Sequence, residues 1–141
     1  MGISKASGGW RGDLKSGEGR MKPEHGPEVP FSLKTRFEGE RGSNPEEMIG
    51  AALSGCFSMA LTAALSKAGA TPRSVSTTAD VRLEKDGEGF TIRHIGLTTT
   101  VEADGVEDEA FQRVATETKA ECPVSKALAG VEITLVARLG R

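Results

Sequence analysis

The stretch NPEEMIGAALSGCFSMALTAALSKAG, Asn44 to Gly69, decides how this chain is read. Asn44 can cap a helix, Pro45 suits the first helical position, and Glu47 follows three residues after the cap. Lys67 and Gly69 suit the other end, where glycine accepts a left-handed closing conformation without strain. Neither proline nor charge interrupts Met48 to Ser66. A helix here would be roughly 36 Å long at ~1.5 Å per residue, about the width of a domain of this size. It is apolar on nearly all sides, so it must be surrounded. Cys56 sits near its middle.

The 141 residues suffice for one domain spanning 1–141. A net charge of -2 gives no general attraction to nucleic acid or anionic membrane. Tyrosine is absent and Trp10 is the only tryptophan, which argues against a base-stacking surface. Much of the apolar content lies in the one helix. The rest must form strands with one wet face, or share a core with a partner chain. Met1 to Gly12 has no apolar run, so no signal peptide is expected and the protein is assigned to the cytoplasm. Met48–Ser66 is long enough to span a membrane. Gly50, Ser54, Gly55, Ser58 and Thr62, the many alanines and the lack of interfacial aromatics favour a buried helix instead, with no membrane insertion.

Working outward toward the N-terminus, Phe31–Phe37 alternates apolar and polar residues and is expected to be a strand, with Arg36 on the opposite parity from Phe31, Leu33 and Phe37. Gly8–Lys22 reads as a hairpin with a loose turn near Lys15–Gly17, and Pro23–Pro30 as loop. Toward the C-terminus, a loop containing Pro72 leads into a strand from Val75 to Leu83. A turn at Glu84–Gly89 joins it to a second strand from Phe90 to Val101. The apolar parity of that strand shifts, which implies a bulge near Arg93–His94. Glu107–Lys119 has helical spacing with acidic residues at its start. Pro123 can open a short helix with Cys122 at its edge, and Val131–Leu139 alternates as a final strand. The order predicts an α+β fold. His25 and His94 are read as exposed or structural.

Two cysteines cannot form a four-cysteine metal site within one chain. They are either inert buried thiols or a redox pair that cycles. Amides at a helix start favour a Cys122 thiolate, and Lys119 and Lys126 are close in sequence, opposed by Glu121. Cys56 differs. Burial in mid-helix raises a thiol pKa, and the helix amides there are already paired. It needs a cation brought from elsewhere, such as Arg36, which would itself need a carboxylate to orient it. Glu46 and Glu47 are available. Glu46 lies ten residues before Cys56, about 15 Å along one helix, so a shared site requires the chain to fold back or a second subunit.

TRFEGERGSNPEEMIGAALSGCFSMAL together with ECPVSKAL resembles the OsmC branch of the OsmC/Ohr family of thiol-dependent organic hydroperoxide reductases. The likeness runs from GGWRGDLKSGEG through the last strand. The form CPVS, rather than one containing tyrosine, points to the OsmC branch. Gly55 stands where close relatives often have alanine, which slightly loosens the helix beside Cys56. The resemblance implies Cys56 as the reactive cysteine, Cys122 as the resolving one, Arg36 as the site arginine and Glu46 as the site glutamate. It implies an intertwined homodimer with long central helices wrapped by antiparallel sheets. It also implies reduction of organic hydroperoxides in preference to hydrogen peroxide, an antioxidant role in the stress response. Disulfide closure would follow, with regeneration by an external dithiol such as a lipoyl group or lipoylated protein. No metal, flavin or haem is implied. Phe57, Met48 and Phe37 are candidates either for a substrate pocket or for core packing. The competing readings are a non-enzymatic small-molecule-binding or redox-sensing domain, and an oxidoreductase acting on protein disulfides.

Overall fold

The structure is a computed structural model, described here for residues 2–140. The chain forms two compact units, one ending at Met48 and the other beginning at Ile49.

The first unit carries strands β1 (Ala6–Arg11), β2 (Glu18–Pro23) and β3 (Val29–Phe31), paired antiparallel in that order. The expected hairpin is β1–β2, with Ala6 opposite Pro23 and Arg11 opposite Glu18. Asp13 closes its turn by accepting bonds from the Ser16 amide and hydroxyl, both at 2.7 Å. These bonds hold the Asp13 carboxyl below its ordinary pKa. Trp10, Gly19 and Phe31 stand abreast on the three strands. The Trp10 and Phe31 rings meet edge-on at 5.7 Å, across Gly19. A Cβ there would come within 2.4 Å of the Phe31 ring.

The strand expected over Phe31–Phe37 is corrected. Only Phe31 belongs to a strand; Leu33–Phe37 is a short helix, α1. Ser32 and Thr35 form a reciprocal cap: the Thr35 amide donates to Ser32 Oγ at 3.1 Å and the Ser32 amide donates to Thr35 Oγ1 at 2.9 Å. Leu33 and Phe37 are four apart, a spacing that fits one helix face as well as one strand face. The local cap decided between them.

Helix α2 (Pro45–Lys67) starts as expected, with the Glu47 amide donating to Asn44 Oδ1 at 2.9 Å. Beyond it Gly69 has a φ of +93°, the left-handed conformation expected there.

The second unit contains a long antiparallel hairpin, β4 (Thr71–Asp86) and β5 (Gly89–Asp104). Arg82 pairs with His94 and Leu83 with Ile92, so Arg93 is the extra residue of the expected bulge. Pro72 lies inside β4 rather than in a loop. An edge strand tolerates it, because no neighbour needs its missing N–H. Helices α3 (Asp108–Glu121) and α4 (Pro123–Ala127) lead to β6 (Glu132–Gly140). The α+β fold is as expected, and within its second, mixed sheet β6 runs parallel to β5, in the order β4-β5-β6. The chain returns through two helices, and such a crossover permits parallel pairing where a tight turn cannot.

The core is one face of α2 laid on this sheet and α3. Leu53, Phe57, Leu61 and Leu65 are fully buried with Ile95, Leu97 and Val101 of β5 and Phe111 and Ala115 of α3. The opposite α2 face, Ala52, Gly55, Met59 and Ala63, is exposed, Met59 by 80%. The helix is long and apolar enough to cross a membrane by length and composition, yet its buried face packs as a core helix does. Within the second unit, the described residues cover it on one side only.

Candidate active site

The two cysteines meet in the second unit. Cys56 is half-buried on α2, one residue before the buried Phe57. Cys122 is buried at the joint between α3 and α4. Pro123 makes that joint, since the residue before a proline is pushed out of helical conformation, and Cys122 has a ψ of 127°. Its N–H still closes α3 on Thr118 O at 2.9 Å, while its carbonyl accepts the first bond of α4, from the Lys126 amide at 3.0 Å. The sulfurs lie 2.9 Å apart as free thiols.

Their environments differ in the sense the sequence suggests. Burial pushes the Cys56 thiol up, and the adjacent Cys122 sulfur adds to this; a bond from the Val124 amide only partly offsets it. Burial also opposes a Cys122 thiolate. There, however, the Cys56 thiol, the Ser125 and Val124 amides and the nearby Ser125 hydroxyl together outweigh it, and the pKa falls below its ordinary value. Either thiol could donate across the 2.9 Å contact. The two amides aimed at Cys122 make Cys56 the better donor and Cys122 the better thiolate.

The other two expected site residues meet in the first unit. Arg36, on α1, donates from Nη2 to Glu46 Oε1 at 2.7 Å and from Nε to Oε1 at 3.0 Å and Oε2 at 3.3 Å. Bonds of this fork type are charge-assisted and fix direction as well as distance. The Glu46 side chain is only 7% exposed. The Arg36 guanidinium also lies 5.2 Å from the Phe37 ring centroid. The choice of Glu46 over Glu47 is thus settled as regards the arginine's partner.

Of the pocket candidates, Phe57 is fully buried in the core. A cavity of about 290 Å³ between α2 and α3 has Cys122 in its wall, beside Ala60, Ala64 and Val114 and the exposed Lys67 and Glu121. Among the described residues, no three His, Cys, Asp or Glu side chains cluster as metal ligands. His94 bonds to Thr134 Oγ1 at 2.9 Å. Sequence reasoning assigned no role to Ser125. The available signal was a hydroxyl three residues after a cysteine that caps a proline-started helix. It also missed a chain of hydroxyls, Ser58 to Thr77 at 2.8 Å and Thr77 to Thr99 at 2.9 Å, that joins α2 to the sheet two residues past Cys56.

An α+β fold holding two free thiols in contact defines a class of protein built for dithiol–disulfide chemistry. The family model for OsmC-like proteins matches residues 37–136. Peroxiredoxin OsmC of Escherichia coli strain K12 is 47% identical over 133 residues, covering 93% of this chain and 92% of that one. The chain belongs to the OsmC-like family. Its fold is shared with an organic hydroperoxide resistance protein OsmC from Legionella pneumophila (TM-score 0.72, 20% identity, 98% of this chain and 99% of that one). It is shared too with the organic hydroperoxide resistance protein OhrB of Bacillus subtilis (TM-score 0.68, 24% identity, 98% of each chain).

Proposed function

We propose that this chain is a peroxiredoxin-type enzyme that reduces organic hydroperoxides to alcohols in the cytoplasm. The 47% identity to a peroxiredoxin supports the enzyme class. The observation that carries the mechanism is the 2.9 Å separation of the Cys56 and Cys122 sulfurs. The Cys56 thiolate attacks the distal peroxide oxygen, the O–O bond breaks, the alkoxide leaves as alcohol after taking a proton, and Cys56 becomes a sulfenic acid. Cys122 attacks that sulfur, water leaves, and a disulfide forms. An external dithiol, a lipoyl group by resemblance, attacks the disulfide and restores both thiols while itself closing to a cyclic disulfide.

Cys56 is the poorer thiolate of the pair within its own unit. For it to attack first, charge support must come from elsewhere. Arg36 is the assigned source, held in direction by Glu46, and it would also stabilise charge developing on the peroxide oxygens. Apolar surroundings favour an alkyl hydroperoxide over hydrogen peroxide, because buried alkyl surface adds transition-state binding. The exposed α2 face supports the homodimer reading, since a stripe of small and apolar residues invites a second copy. A protein-disulfide substrate is disfavoured, because the better thiolate, Cys122, is 1% exposed.

The test is a titration with cumene hydroperoxide followed by mass spectrometry. Wild type should lose two hydrogens per chain as the disulfide closes, and Cys122→Ser should stop at a sulfenic acid that dimedone traps. Full dithiol-dependent turnover in Cys56→Ser would overturn the assignment.

A further inference from the structure

Ser125 Oγ is buried without a hydrogen-bond partner, and among the described residues it is the one buried side-chain oxygen or nitrogen so placed. Ser125 is 7% exposed. An unsatisfied buried hydroxyl is costly and needs an explanation. The local geometry supplies one. Ser125 is the third residue of α4, and Cys122 is that helix's cap. In a reciprocal cap, the side chain at this position accepts the cap residue's N–H, as Thr35 does for Ser32. The Cys122 N–H is already given to Thr118 O, because Cys122 also ends α3. The hydroxyl is left without a partner in the first turn of the helix that Cys122 caps, where the Val124 and Ser125 amides and this hydroxyl all favour the Cys122 thiolate.

We infer that Ser125 positions Cys122 for the resolving step by donating a hydrogen bond from its hydroxyl to the Cys122 thiolate, while keeping its own proton. This rests on the peroxidase reading above. In that step Cys122 S⁻ attacks the Cys56 sulfenic acid. The S–S bond forms, the S–O bond breaks, and hydroxide leaves as water after taking a proton. The oxidant is the peroxide already spent in making the sulfenic acid. Ser125 raises the share of Cys122 that is ionised and aims its lone pair. The titratable groups around Cys122 are Cys56 on α2, Lys67, Glu117 and Glu121 beside the cavity, and Lys126 on α4, which pairs with Glu121 at 3.2 Å. Ser125 is neutral, so removing its hydroxyl leaves all these charges in place.

The experiment uses the full chain as wild type, Ser125→Ala and Ser125→Thr. Each is mixed with cumene hydroperoxide, quenched with dimedone at successive times over a pH series, and weighed intact. In Ser125→Ala the pH midpoint for sulfenic acid decay should rise by about one unit. Below that midpoint the sulfenic acid should live about threefold longer, because a tenfold loss of thiolate is partly offset by higher intrinsic nucleophilicity. Its Tm should be equal or higher, since an orphaned hydroxyl is gone. Ser125→Thr, which keeps the hydroxyl, should return the midpoint toward wild type. Wild-type decay and midpoint in Ser125→Ala would overturn the role, as would a Thr variant that behaves like Ala, which would mean packing alone. If wild type forms neither sulfenic acid nor disulfide, the peroxidase reading fails and takes this inference with it. Normal wild-type chemistry with an indifferent Ala variant removes Ser125 alone.

Discussion

Cys56 and Cys122 are 66 residues apart in the chain, and their sulfurs are 2.9 Å apart in the fold. Each sulfur therefore sets the proton affinity of the other, and the pair titrates as a unit. The first ionisation should fall below the ordinary thiol value of 9.0 and be carried mainly by Cys122; the second should fall above it and be carried mainly by Cys56. Thiolate absorbance against pH should show these two steps. In Cys122→Ser the Cys56 step should move down, because a neighbouring negative sulfur no longer opposes it. The stability signs follow. Cys56 holds its proton more tightly folded than unfolded, so its contribution is full below the unfolded pKa and is lost as pH rises through the folded one. Cys122 is the reverse: its contribution is present above the unfolded pKa and lost as pH falls through its lowered value. Cys56→Ser should therefore lose less stability than wild type in alkaline denaturation curves.

Arg36 and Glu46 form a fork in which each fixes the other. Arg36→Met should slow sulfenic acid formation by about 10² if the guanidinium stabilises charge in the transition state. Arg36→Lys should recover little, because an ammonium cannot reproduce the two-point bond. Glu46→Gln should reduce the rate less than Arg36→Met, since the charge stays and only its aim is lost. Single-turnover peroxide kinetics with Cys122→Ser as background would read all three. An unchanged rate in Arg36→Met would remove the arginine from the mechanism.

Met59 is 80% exposed on a face of α2 whose opposite side is the core. If that face meets a second copy, Met59→Glu should place a charge in the interface and shift the solution mass from dimer to monomer. Light scattering after gel filtration measures this directly, and circular dichroism should show the helix content retained. A dimer of undiminished affinity would place the interface elsewhere.

The Ser32–Thr35 cap holds the helix that carries Arg36. Ser32→Ala should cost about 1 kcal/mol of stability, seen as a lower midpoint in urea. The same variant should lower peroxide turnover at temperatures where the protein is still folded, because α1 is only five residues long and this cap closes its first turn.

Helix α2 was legible from its composition because caps, length and an uninterrupted apolar run agree. The β4–β5 hairpin and its Arg93 bulge were legible because strand parity is local and a slip leaves a visible break in it. Family motifs brought Cys56, Cys122, Arg36 and Glu46 forward together. Phe31–Phe37 was misread, since Leu33 and Phe37 at four-residue spacing satisfy both periods and only the Ser32–Thr35 bonds break the tie. The parallel pairing of β6 was not legible either. Alternation says which residues share a face but nothing of which neighbour the strand meets or in what direction.

By itself, then, the sequence determined most of the elements, the chemistry available and the family resemblance. It also implied that Cys56 needs outside help to ionise, because pKa rules for a buried mid-helix thiol are local. Only the tertiary structure decided that the two sulfurs touch, that Glu46 rather than Glu47 engages Arg36, and that Ser125 is left without a partner beside Cys122. The physical reason is common to all three. Each depends on where a second element brings its side chains, and on which donors and acceptors the backbone has already used. Residue order alone carries neither.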